Sequence, residues 1–75
     1  MSSKNNIDIL IAEKFNELIK KKYKTVMECS EKNFQSKKLL TNTISKIRQG
    51  EYPSITRIKE IAAVCDCEFT EFFKI

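Results

Sequence analysis

The chain has 75 residues, 41% hydrophobic and 32% charged, with a net charge of +4, one glycine, one proline and no histidine. That describes one domain near the lower size limit for a self-sufficient core, too apolar for disorder and built mostly from helix formers. No apolar run approaches the roughly 18 residues that span a bilayer, and Asp8 breaks the one candidate signal-peptide core, so the expectation is a cytoplasmic protein whose modest basicity favours an anionic partner.

Residues 1–6, MSSKNN, are polar and without period and read as a flexible tail. Asn6 can cap a first helix, with Asp8 in its first turn. Ile7, Leu10, Ile11, Phe15, Leu18 and Ile19 keep helical spacing and predict an amphipathic helix over residues 7–22. Glu13 and Glu17 interrupt its basic face, so the stripe belongs to the core rather than to a membrane surface. Lys20, Lys21, Lys22 and Lys24 follow. They suit the negative end of the helix dipole; their other reading is non-specific attraction for phosphate.

The pattern is weakest over residues 23–38, YKTVMECSEKNFQSKK. Ser30 as N-cap, Glu31 in the first turn and Phe34 pointing inward give a second helix over residues 31–38. Leu39 and Leu40 then occupy the turn leading to Thr41. Val26, Met27 and Cys29 pack in the connection or extend one of its flanking helices.

Residues 39–50, LLTNTISKIRQG, are the most informative stretch. Leu40, Ile44 and Ile47 share one face of a short helix. Asn42, Ser45, Lys46 and Gln49 fall on the opposite face, which holds amides and a cation but no carboxylate. Thr41 can cap the start and Gly50 can end the helix in the left-handed region. Such a helix suits reading base edges in a major groove; an ordinary surface helix is the plain alternative.

Glu51, Tyr52 and Pro53 then form a turn, and Ser54 caps a fourth helix with the seam Ile55, Ile58, Ile61, Ala62 and Cys65. A short fifth helix over residues 70–74 is accompanied by Phe69, Phe72, Phe73 and Ile75. These fill a small core, or leave Phe73 and Ile75 as a self-association patch.

ISKIRQG followed by EYPSITRIKEIAAVCDCEFTEFF resembles the helix-turn-helix domains of the Xre/Cro/phage-repressor family. Ile44, Ile47 and Gly50 match the end of the recognition helix. Pro53, Ser54, Ile55, Ile58, Ile61, Ala62, Cys65, Cys67, Phe69, Phe72 and Phe73 match the turn and apolar positions that follow. The likeness runs over residues 39–73 and fades upstream, where Gln35 stands for the family's Ala and Leu39 for its turn Gly.

The resemblance implies an all-α, compact five-helix bundle of the lambda-repressor-like helix-turn-helix type over residues 7–75. Its implied function is a sequence-specific repressor that binds double-stranded DNA as a homodimer. Base contacts would come from Thr41, Asn42, Thr43, Ser45 and Lys46, with Asn suiting adenine and Lys suiting guanine. Phosphate contacts would come from Gln49, Tyr52, Lys38 and Ser30. Pairing through Phe72, Phe73 and Ile75 would set two recognition helices about 34 Å apart.

Three further departures matter. Thr41 and Asn42 stand where the family often has Gln or Arg, so the resemblance implies no particular target sequence. Arg48 occupies a position that is usually Glu and pairs with an Arg of the first helix. Here that helix offers Glu13 and Glu17, so the pair is kept with its signs exchanged, or Arg48 points at DNA. Asp66 stands where Gly is common, and Asp tolerates the left-handed region better than most residues.

The alternative function is a protein-interaction module of the same fold, of the antitoxin or anti-regulator type, without DNA readout. Nothing points to an enzyme: there is no nucleophile–base spacing and no phosphate-cradling glycine loop. No cofactor, metal or small-molecule ligand is expected. Three thiols without histidine make a poor zinc site, and Cys29, Cys65 and Cys67 read as small core residues in a reducing compartment.

Overall fold

Six apolar residues at helical spacing wind the first helix, α1 (Asn6–Lys22), over the predicted range, with Ile11, Ala12, Phe15 and Ile19 buried. In the computed structural model, which describes residues 6–74, α2 (Val26–Phe34), α3 (Leu39–Arg48), α4 (Ile55–Val64) and a 3-10 helix (Phe69–Phe73) follow. Among the described residues there is no strand, and no helix is long and apolar enough to cross a membrane. Most of the expected tail, residues 1–5, and Ile75 lie outside the described residues. The architecture is all-helical, with four α-helices rather than five. α3 packs against α1 and α2, while the 3-10 helix closes the core against α1 and α4.

The last element is 3-10 for a reason of register. Three residues per turn put positions i and i+3 on one edge, so Phe69 and Phe72 turn inward together and Phe73 does not. Phe72 is fully buried, its ring stacked on Phe15 with centroids 3.9 Å apart and planes 6° from parallel. It is core, and the expected role in pairing is withdrawn for this residue.

The second helix corrects the sequence reading by five residues. Its N-cap is Thr25, whose hydroxyl accepts from the Glu28 N–H at 3.0 Å, while the Glu28 carboxylate accepts from the Lys24 N–H at 3.0 Å. A threonine followed three residues later by glutamate outcompetes Ser30–Glu31 because both of its side chains satisfy otherwise free backbone donors. The helix ends at Gln35, which takes the left-handed conformation (φ 57°).

Ser30 therefore lies inside α2, fully buried. Its hydroxyl donates to the Ser36 carbonyl and accepts from the Leu40 N–H at 3.0 Å. This placement also corrects the start of α3. Leu39 and Leu40 are helical rather than turn residues, Thr41 is not a cap, and Lys38 at the N-cap makes no side-chain bond. One of the free N–H groups of the first turn is satisfied by a hydroxyl from the neighbouring helix instead.

At the other end the Gly50 N–H bonds to the Ile47 carbonyl and the Glu51 N–H to the Lys46 carbonyl, both at 2.9 Å. This is the paired closure that a left-handed residue permits, and Gly50 supplies it at φ +88°. α4 closes the same way: Asp66 takes φ 61°, the Asp66 N–H reaches Ala63 and the Cys67 N–H reaches Ala62. Lys22 pairs with the Asp66 carboxylate at 3.3 Å. Ser54 caps α4 as the sequence predicts, accepting from the Arg57 N–H.

Cys29 and Cys65 are core residues and Cys67 is half-buried. Burial pushes all three thiols up, Cys65 to about 12 with the neighbouring Cys29 and Cys67 adding to the effect.

Two substitutions test these joints. Ser30→Ala strands the Leu40 donor and the Ser36 acceptor, and is expected to cost about 1–3 kcal/mol, a fall in Tm of roughly 10 °C for a domain of this size. Gly50→Val forces a side chain into the left-handed region and sets its Cβ 3.3 Å from Asp8 Oδ2. Thermal unfolding should show a loss of about 1–2 kcal/mol. A Tm unchanged by either variant would refute the corresponding joint.

Candidate nucleic-acid interface

α3 turns Leu40, Ile44 and Ile47 into the core and leaves Thr41, Asn42, Ser45, Lys46 and Gln49 exposed. The rotation of roughly 100° per residue sorts the exposed side into three lanes. Asn42, Lys46 and Gln49 form the central lane. Thr41, Ser45 and Arg48 form one flank, lining a groove with Ile44, Asn16 of α1 and Val26 of α2. Leu39 and Thr43 form the other flank, lining with Lys46 a groove completed by Glu51, Tyr52, Pro53, Ser54 and Arg57. α3 itself carries Lys46 and Arg48 and no carboxylate.

The expected base-contacting residues thus share one exposed side, with a difference at Thr43. That residue is half-buried, and its hydroxyl donates to the Leu39 carbonyl at 2.8 Å. Its proton is committed to its own helix. Among the expected phosphate contacts, Gln49 and Lys38 are exposed at the two ends of α3. Ser30 is not available to any ligand, since its hydroxyl is spent inside the core.

Tyr52 is also committed. Its hydroxyl donates to Asp8 Oδ1 at 2.6 Å, and its ring lies 6.5 Å from Phe73. Desolvation, with the hydrogen bond and the negative charge of Asp8 adding to it, pushes the phenol up to about 12. Its proton is donated to Asp8, and that carboxylate would repel a phosphate brought to the same point, so Tyr52 drops out of that set. It serves instead as the tie between the loop after α3 and the first turn of α1.

The sign-exchanged ion pair does not form. Glu17 pairs with Lys14 at 3.9 Å, and among the described residues neither Glu13 nor Arg48 forms an ion pair. Arg48 faces the groove beside Asn16 instead. Arg57, on the other side, is held by Glu60 at 3.2 Å and lies 5.3 Å over the Phe34 ring. Sequence reasoning singled out neither Asn16 nor Arg57. Asn16 had a signal, being a polar residue one position beyond the buried Phe15. Of the residues expected to pair two copies, Phe73 is 39% exposed beside the equally exposed Tyr52.

Among the described residues no three metal-binding side chains are grouped to hold an ion. The chain matches no family model, no curated protein and no solved structure.

The Tyr52–Asp8 tie predicts a specific alkaline response. The phenol pKa is raised on folding, so its contribution to stability is complete below its ordinary value of about 10 and is lost as pH climbs towards 12. Denaturant titrations of the wild type and Tyr52→Phe should therefore differ near neutrality and converge at high pH. A difference that stays constant across that window would refute the tie.

Proposed function

We propose that this chain is a sequence-specific DNA-binding transcriptional regulator, a cytoplasmic repressor that inserts α3 into the major groove. The observation that carries the reading is the exposed side of α3, rich in hydrogen-bonding groups, free of carboxylates and held by three buried apolar residues. Two further features support it. α2 and α3 are consecutive helices joined by residues 35–38, as a helix-turn-helix pair would require, and residues 39–73 resemble the Xre/Cro/phage-repressor family in sequence.

Asn42 and Lys46, on the central lane, read bases: the amide matches the donor and acceptor pair of adenine, and the ammonium matches the acceptors of guanine. Thr41 and Ser45 assist from the flank, and Gln49 and Lys38 hold backbone phosphates at the helix ends. Phosphate contacts fix register and base contacts fix preference. Two copies, meeting through the exposed Phe73 end, would bind a two-fold symmetric operator with half-sites about one helical turn apart. Occlusion of polymerase then gives repression.

Selection of bound fragments from random duplex DNA is the test. The expected result is an enriched, two-fold symmetric site, lost in the Asn42→Ala, Lys46→Ala double variant while its Tm is kept. Affinity should fall with salt by about 0.9 log units per log unit for each phosphate contact. No enriched site and no salt dependence would overturn the reading in favour of a protein-interaction module.

A further inference from the structure

Around α3 the charged side chains differ in what already holds them. Arg57 has Glu60 and the Phe34 ring, and the groove it lines also contains the carboxylate of Glu51. The groove on the opposite flank, lined by Asn16, Val26, Thr41, Ile44, Ser45 and Arg48, contains none. Arg48 is half-buried there, with no ion pair, side-chain hydrogen bond or ring partner among the described residues, and the amide of Asn16 is equally uncommitted. A guanidinium, a primary amide and two hydroxyls thus belong to the residues lining one concave strip, beside the apolar Val26 and Ile44, and that lining holds no carboxylate.

We propose that this strip is an anion subsite for one backbone phosphate of duplex DNA, with Arg48 as its anchor and Asn16, Thr41 and Ser45 as supporting donors. The proposal rests on the DNA-binding reading above and deepens it. Arg48 lies six residues beyond Asn42, about 120° around the helix. When the central lane faces base edges on the groove floor, that flank faces a phosphate strand on the groove wall. The planar five-donor fork of arginine suits a phosphate's oxygens, and the hydroxyls and amide can donate to those that remain.

Fluorescence anisotropy of a random-sequence DNA duplex, titrated at several salt concentrations, tests this on the full chain. Arg48→Gln is expected to weaken binding about tenfold and to flatten the salt slope by about 0.9. The order of preferred sequences should stay unchanged, and Tm should stay within about 4 °C because no partner is lost. Arg48→Lys, which keeps the charge, should keep the slope. If the wild type binds but Arg48→Gln leaves its slope unchanged, the subsite is refuted and the DNA-binding reading stands. A changed sequence preference would also refute it, by making Arg48 a base reader. Equal affinity for a duplex of RNA would overturn the assignment to DNA. No salt-dependent binding by the wild type would remove the reading and the subsite together.

Discussion

The buried hydroxyl of Ser30 is the constraint on which the exposed side of α3 depends. A helix without a capping side chain starts with free N–H groups, and leaving one unpaired in the interior costs about 1–3 kcal/mol. Here the Leu40 N–H finds its partner on α2, and the same hydroxyl bridges to the Ser36 carbonyl in the intervening turn. Apolar packing alone tolerates rotation of one helix against another. A directional bond at the first turn does not. The far end is held as firmly: Gly50 allows the reversal, Asp8 approaches it, and Tyr52 binds Asp8. α3 is thereby fixed at both ends by other elements, and its free side chains project from a fixed axis.

Charge is arranged to leave that axis uncluttered. The ion pairs among the described residues are exposed or half-exposed, and apart from Lys22–Asp66 they join residues three or four apart in the sequence. Such pairs are worth little to stability. None of them involves α3, so Lys46 and Arg48 have no ion-pair partner among the described residues. In a domain this small the stability has to come from the core, chiefly Phe15 against Phe72 and the isoleucines around them, in keeping with the general dominance of apolar burial.

What the sequence disclosed follows the same physics. α1, α4 and the body of α3 were legible because long apolar periodicity and strong terminal residues agreed: Ser54, Gly50 and Asp66 all occupy the roles their chemistry suggests. α2 was not, because two threonine- or serine-led starts compete within residues 23–31 and only tertiary packing chooses. Ser30 looked like a cap because hydroxyls usually sit at helix starts; its partner lies ten residues away and has no local signature. Gln35 in the left-handed region was equally unannounced, since glutamine is not a residue that favours it. The run of aromatics near the end hid which ring turns inward until the tighter 3-10 register settled it for Phe72. For the candidate site, the exposed lane Asn42–Lys46–Gln49 was readable from spacing alone. Thr43 turns its hydroxyl back on the Leu39 carbonyl of its own helix, and the fates of Tyr52 and Arg48 depended on neighbours brought in from elsewhere in the chain.

The residues that hold α3 and the residues that would touch a ligand are therefore disjoint sets. Ser30, Leu40, Ile44, Ile47 and Gly50 determine where the helix lies, and Asn42, Lys46, Arg48 and Gln49 determine what it offers. Because the second set makes no ion pair or side-chain hydrogen bond among the described residues, changing it leaves the fold's own interactions intact. Because the first set is pre-arranged, little ordering of the backbone remains to be done on binding, which otherwise subtracts from affinity. In a chain whose total stability is of the order of 5–15 kcal/mol, this separation allows the exposed side of α3 to change without unfolding the helix that presents it.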